Sequence, residues 1–151
     1  MLIRKYTPSD CAKICKLFYE TIHAINAKDY TSDQLDAWAP RDFDADALNL
    51  ALIKNTAIVA LEKEKIVGFG SIAKNGYLDY LFVHKDCQRK GIATKICDIL
   101  EKSGNWEKIT VHASITAKPF FEKRGYAVKK RQEVQRKNVM LINFAMEKSP
   151  A

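Results

Sequence analysis

Between residues 56 and 83 the chain carries three strand-like runs in close succession, and this segment limits the fold more than any other. Thr56–Glu62 and residues 65–74 are joined by a tight charged turn, and Tyr77–Val83 follows the dipeptide Asn75-Gly76. Asn-Gly between two such runs is a strong hairpin signal, because both residues tolerate positive φ. The segment is therefore predicted to form an antiparallel meander of three strands.

Helical and strand-like segments flank the meander on both sides. Upstream, we predict a strand over residues 2–6, a helix that opens at Thr7-Pro8-Ser9-Asp10, and shorter helices over 32–40 and 44–53. Downstream, the pattern predicts a helix, a strand, a helix and two strands, over residues 91–103, 108–113, 116–124, 126–134 and 139–147. This order indicates one α/β domain with a mixed, mostly antiparallel sheet flanked by helices.

Length and charge limit the organisation and the partners. The chain has 151 residues, so we expect one domain over residues 1–148 and a short tail over 149–151. The net charge of +7 suits a polyanionic small molecule, a nucleic acid or an anionic membrane, or simply serves solubility. The basic residues are scattered without a basic-aromatic stacking motif, so neither nucleic acid nor membrane is expected as a partner. No apolar run suits a signal peptide or a membrane span, and a cytoplasmic location is expected.

The four cysteines are Cys11, Cys15, Cys87 and Cys97. A zinc site would need Cys-x-x-Cys spacing or neighbouring histidines, and the sequence has neither. We therefore expect no metal. We also expect four free thiols, none of which serves as a nucleophile, because no histidine is placed by sequence to activate one.

A short basic loop between a strand and a helix is the segment most suggestive of chemistry. It spans residues 88–94 and contains Arg89, Lys90 and Gly91, with the small residue Ala93 behind them. The first N–H groups of a helix lack intrahelical partners and, with the helix dipole, favour an anion. Gly91 permits close backbone approach, since it has no Cβ. The loop is predicted to bind a pyrophosphate, although neither the three-glycine dinucleotide fingerprint nor the Walker loop is present.

Two motifs resemble the GNAT superfamily of N-acetyltransferases. The loop sequence Gln88-Arg89-Lys90-Gly91-Ile92-Ala93 resembles that family's Q/R-x-x-G-x-G/A signature. Residues 113–126 resemble its second conserved region, which often reads N-x-x-A-x-x-F-Y-x-x-x-G-F, and residues 30–40 resemble one bacterial subgroup of small members. The predicted order of elements is similar to the GNAT fold along nearly the whole chain.

The resemblance implies acetyl-CoA as co-substrate, with its pantetheine arm between splayed fourth and fifth strands. The arm would run along residues 81–83, and the N–H near Val83 would polarise the thioester carbonyl. The amine would attack directly in a ternary complex, without an acyl-enzyme. The residues implied to contact the co-substrate are Leu81, Phe82, Val83, Gln88, Arg89, Lys90, Gly91, Ile92, Ala93, Thr94, Ser114, Ala117, Phe120 and Phe121.

Asp79 is the candidate general base. An ammonium acceptor must lose a proton before it attacks. Asp79 shares strand parity with Leu81 and Val83, so we expect all three side chains on one face, together with Tyr77. A solvated or salt-bridged role explains Asp79 equally well. Glu20, on the first helix, is a weaker candidate.

The resemblance places a proton-donating tyrosine at Phe121 and an asparagine at Ser114, and this chain has neither. Tyr126 or water takes that role, or no acid is needed, since a thiol of pKa about 8.5 departs adequately as the thiolate. Phe120 is expected in the hydrophobic core. Glu20, Tyr30 and Trp38 are predicted to border the acceptor pocket, although the two aromatic residues can also pack against the sheet.

The sequence therefore predicts an N-acetyltransferase that transfers an acetyl group from acetyl-CoA to an amine on a small molecule, peptide or protein. The alternative is a non-catalytic module that binds acetyl-CoA as a sensor or as a partner subunit. A homodimer is left open, because the last strands often mediate dimers in the GNAT family.

Overall fold

Residues 1–150, which the computed structural model describes, form seven strands and five α-helices. In chain order these are β1 (Leu2–Lys5), α1 (Cys11–Ile25), α2 (Ser32–Trp38), α3 (Ala45–Lys54), β2 (Thr56–Glu62), β3 (Lys65–Ile72), β4 (Tyr77–Val83), α4 (Ile92–Glu101), β5 (Ile109–Ser114), α5 (Lys118–Lys123), β6 (Ala127–Arg136) and β7 (Val139–Lys148). The α/β prediction is confirmed. The tail expected over 149–151 ends at Ala151, which lies outside the described residues.

The strands form one sheet in the order β1-β2-β3-β4-β5-β7-β6. The predicted β2–β3–β4 meander is present, and every neighbouring pair in the sheet is antiparallel except β4 and β5. These two strands are parallel and pair only at Tyr77 with Thr110 and at Leu78 with Val111. Beyond that point β4 and β5 diverge, which confirms the predicted splay.

Helices cover both faces of the sheet, and each face has its own hydrophobic core. We call the side on which α4 and α5 pack the α4 face, with Ile96, Leu100 and Phe121 in its core. The side covered by α1, α2 and α3 is the α1 face, with Ile14 and Phe69 in its core. Each of these five side chains is at most 2% exposed, so both interfaces exclude water.

A β-bulge at Asp79 changes which face the second half of β4 presents. Ile72 of β3 pairs with Leu78, but the preceding residue of β3 pairs with Tyr80, so Asp79 is the extra residue. Asp79, Tyr80 and Phe82 consequently lie on the α1 face, whereas Val83 belongs to the core of the α4 face. The predicted common parity of Asp79, Leu81 and Val83 is therefore wrong.

Close contact with β3 fixes the distance of α4 from the sheet. A Cβ at Gly70 would lie 2.8 Å from Cγ2 of Ile96, so only glycine permits this spacing. On α4, Ile92, Ile96 and Leu100 are buried, whereas Ile99 is 42% exposed. Cys97 fills the core there instead, and burial raises the pKa of its thiol to about 12.

All four cysteines are free thiols in the structure. In the described part of the chain, no group of three or more His, Cys, Asp or Glu side chains is arranged to hold a metal ion. None of the helices within residues 1–150 is long and apolar enough to cross a membrane.

An ion-pair cluster on the α4 face links α4 to the elements that follow β5. Arg124 donates to both carboxylate oxygens of Glu101 at 2.9 and 2.8 Å and to Asp98 at 2.7 Å. The Tyr126 hydroxyl donates to Glu101 at 2.7 Å, and the Lys148 ammonium lies 3.3 Å from it. Burial alone would raise the pKa of Glu101, but the hydrogen bonds from Arg124 and Tyr126 outweigh it, and the pKa lies below its usual value. The cluster ties α4 to α5 and β7, next to the end of the sheet at which β4 and β5 pair.

Glu101→Gln is expected to destabilise the protein by about 3 kcal/mol, the low end for removing one member of a buried ion pair, because Asp98 still faces Arg124. The free energy of unfolding from urea titrations measures this loss. The depressed folded pKa makes the contribution complete above the ordinary carboxyl pKa. It is lost as pH falls through the folded pKa, so variant and parent should converge in acid.

Glu122→Gln is the matched control, since this exposed carboxylate lies 3.9 Å from Lys118 within one helix. It should change the stability by no more than about 0.5 kcal/mol. Equal effects of the two substitutions on the free energy of unfolding would show that the cluster contributes no more to stability than an exposed ion pair.

Candidate active site

The loop after β4 is anchored by the side chain of Gln88. Its amide donates to the carbonyl of Val83 at 2.8 Å and to that of His84 at 3.2 Å. The Cys87 N–H also donates to the His84 carbonyl, at 2.9 Å. The first signature residue is thus turned inward and shapes the loop, leaving only its backbone to face a ligand.

The N-terminus of α4 is open and rich in N–H donors. The first helical hydrogen bond runs from the Lys95 N–H to the Gly91 carbonyl, so the N–H groups of residues 92–94 precede the ladder. Gly91 caps the helix at φ 79°, a left-handed conformation that favours glycine. A Cβ placed there would meet no heavy atom of the described chain within 4 Å. Exposed Arg89 and Lys90 add positive charge, so this surface fits a pyrophosphate.

The diverging edge of β4 presents backbone groups toward β5. Backbone polar groups alternate sides along a strand, and the His84 N–H donates to Val67 of β3. Those of Leu81 and Val83 therefore point into the splay, where β5 forms no further ladder within residues 1–150. The Val83 carbonyl accepts from Gln88 and from the buried hydroxyl of Thr21, at 3.1 Å. The remaining groups suit an extended ligand that pairs like a strand.

The other side of the splay is formed by the end of β5 and the start of α5. The Ser114 hydroxyl accepts from the Ala117 N–H at 3.0 Å and so caps this turn. The Asn26 amide approaches the same hydroxyl at 3.5 Å. Phe120 is half-buried, and Phe121 is 2% exposed and packs edge-on against Tyr126.

A cleft of about 330 Å³ opens on the α1 face between the splayed strands, α1, α2 and the β6–β7 hairpin. We call it the aromatic cleft. Phe18 packs edge-on against Phe82 at 5.0 Å between ring centroids, and Tyr30 packs edge-on against Trp38 at 5.5 Å. The lining residues are Phe18, Tyr30, Trp38, Tyr77, Asp79, Tyr80, Phe82, His112, Ser114, Val134, Arg136, Leu141, Ile142 and Asn143.

Asp79 is the acidic side chain of the aromatic cleft. It is half-buried, and its one side-chain hydrogen bond in the described chain comes from Asn55 at 3.5 Å. Burial raises the pKa of Asp79 above its usual value. Burial also raises the pKa of Tyr77, with a further rise from Asp79 that Arg136 opposes. A half-desolvated carboxylate with a raised pKa is a stronger base than a solvated one, which suits proton abstraction.

The sequence model of the family described as "Acetyltransferase (GNAT) domain" matches residues 26–148. This chain belongs to the GNAT acetyltransferase family. It is 35% identical over 148 residues to the uncharacterized N-acetyltransferase YafP of Escherichia coli (strain K12), covering 98% of this chain and 95% of that protein. It is also similar to the crystal structure of a GCN5-related N-acetyltransferase from Rhodopseudomonas palustris described as an aminotransferase, class-II. That similarity has a TM-score of 0.93 at 34% identity, over 98% of this chain and 94% of the other.

More distant structures share the GNAT fold. The PaiA N-acetyltransferase of Thermoplasma acidophilum, solved in complex with coenzyme A, has a TM-score of 0.77 at 18% identity, over 98% of each chain. The putative acetyltransferase yncA of Salmonella typhimurium, solved with acetyl-CoA, has a TM-score of 0.74 at 15% identity, over 100% of this chain and 94% of that one.

Several predicted site residues lie together in this GNAT domain. Tyr77, Asp79, Tyr30 and Trp38 all line the aromatic cleft. The Tyr30 hydroxyl is fully engaged, because it accepts from the Ile115 N–H at 2.9 Å and donates to the Ile142 carbonyl at 2.7 Å. Tyr30 therefore braces the cleft wall, and its proton is not free for chemistry.

Other predicted site residues lie elsewhere. Tyr126 is 3% exposed in the core of the α4 face, with its hydroxyl bound to Glu101, so the expectation that it donates a proton is corrected. Glu20 lies in a separate depression beside Lys16 and Lys65, outside the aromatic cleft. Its place beside the acceptor stays a prediction. Phe121 is a core residue, and only the backbone near it can approach a ligand.

Sequence reasoning missed the contribution of β5, β6 and β7 to the cleft. His112, Arg136 and Asn143 line it from these strands. Side chains alternate between the two faces along a strand, so Val134 and Arg136 lie on one face of β6. Which of the two faces points toward the cleft depends on the order of strands in the sheet. The one local signal was an arginine next to the hairpin turn, and this is common in solvent-exposed hairpins.

Asp79→Asn is expected to leave the stability unchanged or to raise it at neutral pH, because the variant removes a desolvated charge. A raised folded pKa means that this cost is complete above that pKa, shrinks as pH falls through it and is absent below the ordinary carboxyl pKa. Thermal unfolding over a pH series should therefore show the largest difference at neutral pH and none in acid. Asp46→Asn, an exposed carboxylate on α3, provides the matched control. A clear loss of stability in Asp79→Asn at neutral pH would contradict the desolvation argument.

Proposed function

We propose that this protein is an N-acetyltransferase that transfers the acetyl group of acetyl-CoA to an amine by direct attack in a ternary complex. The observation that carries the proposal is the splay between β4 and β5. The β4 edge of this gap leads to the open N-terminus of α4. On the α1 face of the sheet, the gap opens into the aromatic cleft beside Asp79. A helix N-terminus suited to a phosphate, an unpaired strand edge and the carboxylate of Asp79 therefore border one gap in the sheet.

The residues of the loop and of β4 suit acetyl-CoA, which supplies an activated acetyl thioester when bound. The N–H groups of residues 91–94 and the charges of Arg89 and Lys90 would hold the pyrophosphate. The backbone of Leu81 and Val83 would pair with the amides of the pantetheine arm. The Val83 N–H would then donate to the thioester carbonyl and favour developing negative charge on its oxygen. The coenzyme A and acetyl-CoA complexes of the PaiA and yncA proteins, which share the fold, support this assignment.

Gly91→Ala is expected to weaken acetyl-CoA binding sharply, because the added methyl group would project into the space over the helix N-terminus. Isothermal titration calorimetry with acetyl-CoA measures the change in Kd. Gly125→Ala is the matched control, since Gly125 has φ 98° and its Cβ would find only Lys148 Cε at 3.9 Å. Both variants carry the same left-handed cost of about 1–2 kcal/mol. Equal Kd values for the two would rule out the loop as the phosphate site.

Asp79 would accept the proton that the ammonium acceptor must lose. An alkylammonium pKa of about 10.4 leaves little free amine at neutral pH, so a nearby base raises the reactive fraction. The departing thiolate needs less help, with a thiol pKa of about 8.5. This agrees with a core phenylalanine, Phe121, at the position of the usual tyrosine. None of the four cysteines is among the cleft-lining residues in the described chain, which favours direct attack over a covalent cysteine intermediate.

The decisive experiment measures thiol release from acetyl-CoA with a panel of amines, and mass spectrometry checks each acceptor for one added acetyl group. Asp79→Asn should lower the rate about 10²–10⁴-fold near neutral pH, the usual value of a positioned base. Acetyl-CoA affinity should stay the same, and the deficit should shrink at high pH as free amine accumulates. Asp46→Asn should turn over at the parental rate.

Two results would count against the proposal. Parental turnover by Asp79→Asn near neutral pH would place the base elsewhere. Tight acetyl-CoA binding without thiol release to any amine would favour the alternative of a non-catalytic acetyl-CoA sensor, which the buried Phe121 keeps open.

A further inference from the structure

We infer that the acceptor is a free aromatic α-amino acid, with its ammonium group beside Asp79 and its carboxylate bound by Arg136. This inference rests on the proposed acetyl transfer in the aromatic cleft and names the substrate class of that site. It follows from the two opposite charges, the aromatic walls and the size of the cleft.

Arg136 carries the positive charge of the cleft and has unused donors. Its Nη1 donates to the neighbouring Gln135 carbonyl at 3.1 Å. Within residues 1–150 no carboxylate lies within 4 Å of its guanidinium, unlike Arg4 and Arg124, which have acidic partners. Arg136 is near enough to Tyr77 to oppose the rise in the pKa of that phenol that burial and Asp79 cause. A guanidinium with free N–H groups at a cleft matches the two oxygens of a carboxylate.

The strand order sets the two charges on different walls. Asp79 lies on β4 and Arg136 on β6, and β5 and β7 lie between these strands in the sheet. The bulge turns Asp79 to the α1 face, and Arg136 shares its side of β6 with Val134, which also lines the cleft. The cleft therefore offers a carboxylate to a cation on one side and a guanidinium to an anion on the other. A zwitterion satisfies both.

Aromatic side chains form a further part of the lining of the cleft. Phe18 contacts both Tyr80 and Phe82 edge-on, at 6.3 and 5.0 Å between ring centroids, and Trp38 lies 6.5 Å from Phe82. A planar ring extends such an edge-to-face cluster favourably. The volume of about 330 Å³ is at the small end for ligand sites, which suits one amino acid better than a peptide chain.

Polycationic acceptors fit this cleft poorly. A polyamine or an aminoglycoside presents several ammonium groups, and the lining offers one carboxylate to balance them and an arginine that repels them. The net charge of +7 adds a long-range repulsion for cations and an attraction for anions.

The test compares L-phenylalanine with 2-phenylethylamine, which lacks only the carboxylate, as acceptors for the full chain with acetyl-CoA. We expect kcat/KM to favour L-phenylalanine about 10–100-fold, the range of one charge-assisted hydrogen-bonded pair. Arg136→Gln should abolish this preference by raising KM for L-phenylalanine, so that the two compounds become equal acceptors. Arg131→Gln is the matched control, because Arg131 is exposed on the opposite side of the same strand, 3.9 Å from Glu133. It should keep the preference.

Calorimetric titration of each compound into the protein saturated with coenzyme A separates binding from turnover. Binding of L-phenylalanine that is lost in Arg136→Gln, with no acetylation of any amine, would uphold the substrate class and overturn the proposed reaction. Acetylation of other amines without binding or turnover of L-phenylalanine would overturn the substrate class and leave the reaction intact. Equal kcat/KM for both compounds, or the same loss in Arg131→Gln, would also overturn the role of Arg136.

Discussion

The ladder between β4 and β5 has only two residue pairs within residues 1–150, Tyr77 with Thr110 and Leu78 with Val111, and the shape of the central gap depends on this short ladder. A sheet that separates in its middle exposes backbone groups that a continuous sheet would pair internally. Side chains hold the gap in a fixed shape. Thr21 and Gln88 bind the end of β4 from one side, and Tyr30 joins the segment after β5 to β7 from the other. The shape of the gap is therefore maintained by specific hydrogen bonds on both of its sides.

The bulge at Asp79 gives the same strand two different uses. Its first residues complete the parallel ladder with β5. After the extra residue, Tyr80 and Phe82 line the aromatic cleft, while Val83 joins the opposite core and the backbone between them faces the gap. Without the bulge, either the carboxylate or the aromatic rings would lie on the far face of the sheet, because side chains alternate strictly along a regular strand.

Local signals made much of the fold predictable. The β2–β3–β4 meander follows from strand composition and Asn75-Gly76, and the start of α4 after Gly91 follows from a strand and a basic turn in sequence. What could not be read locally depends on pairing between distant segments. The bulge at Asp79 is visible only against the register of β3. Leu81 and Val83 were therefore predicted to share a face with Asp79, whereas they lie on the opposite face.

The lining of the aromatic cleft was less predictable than the loop over residues 88–94 for the same reason. Arg136 reaches the cleft because β6 lies beyond β7, and the sequence does not reveal this order. Tyr126 carries a hydroxyl at a suggestive place in the chain, but its partner Glu101 is 25 residues away. The order of elements came from local patterns and the splay from the family resemblance, whereas the charges around the cleft depend on the order of strands in the sheet.

The Val83 carbonyl receives donors from two segments that otherwise do not belong together. Thr21 comes from α1, one helical turn after the cleft residue Phe18, and Gln88 comes from the loop that leads into α4. The Val83 carbonyl therefore joins α1 to the loop over residues 88–94 through two hydrogen bonds. Whatever free energy couples occupancy of the cleft to occupancy of the loop must be equal in both directions.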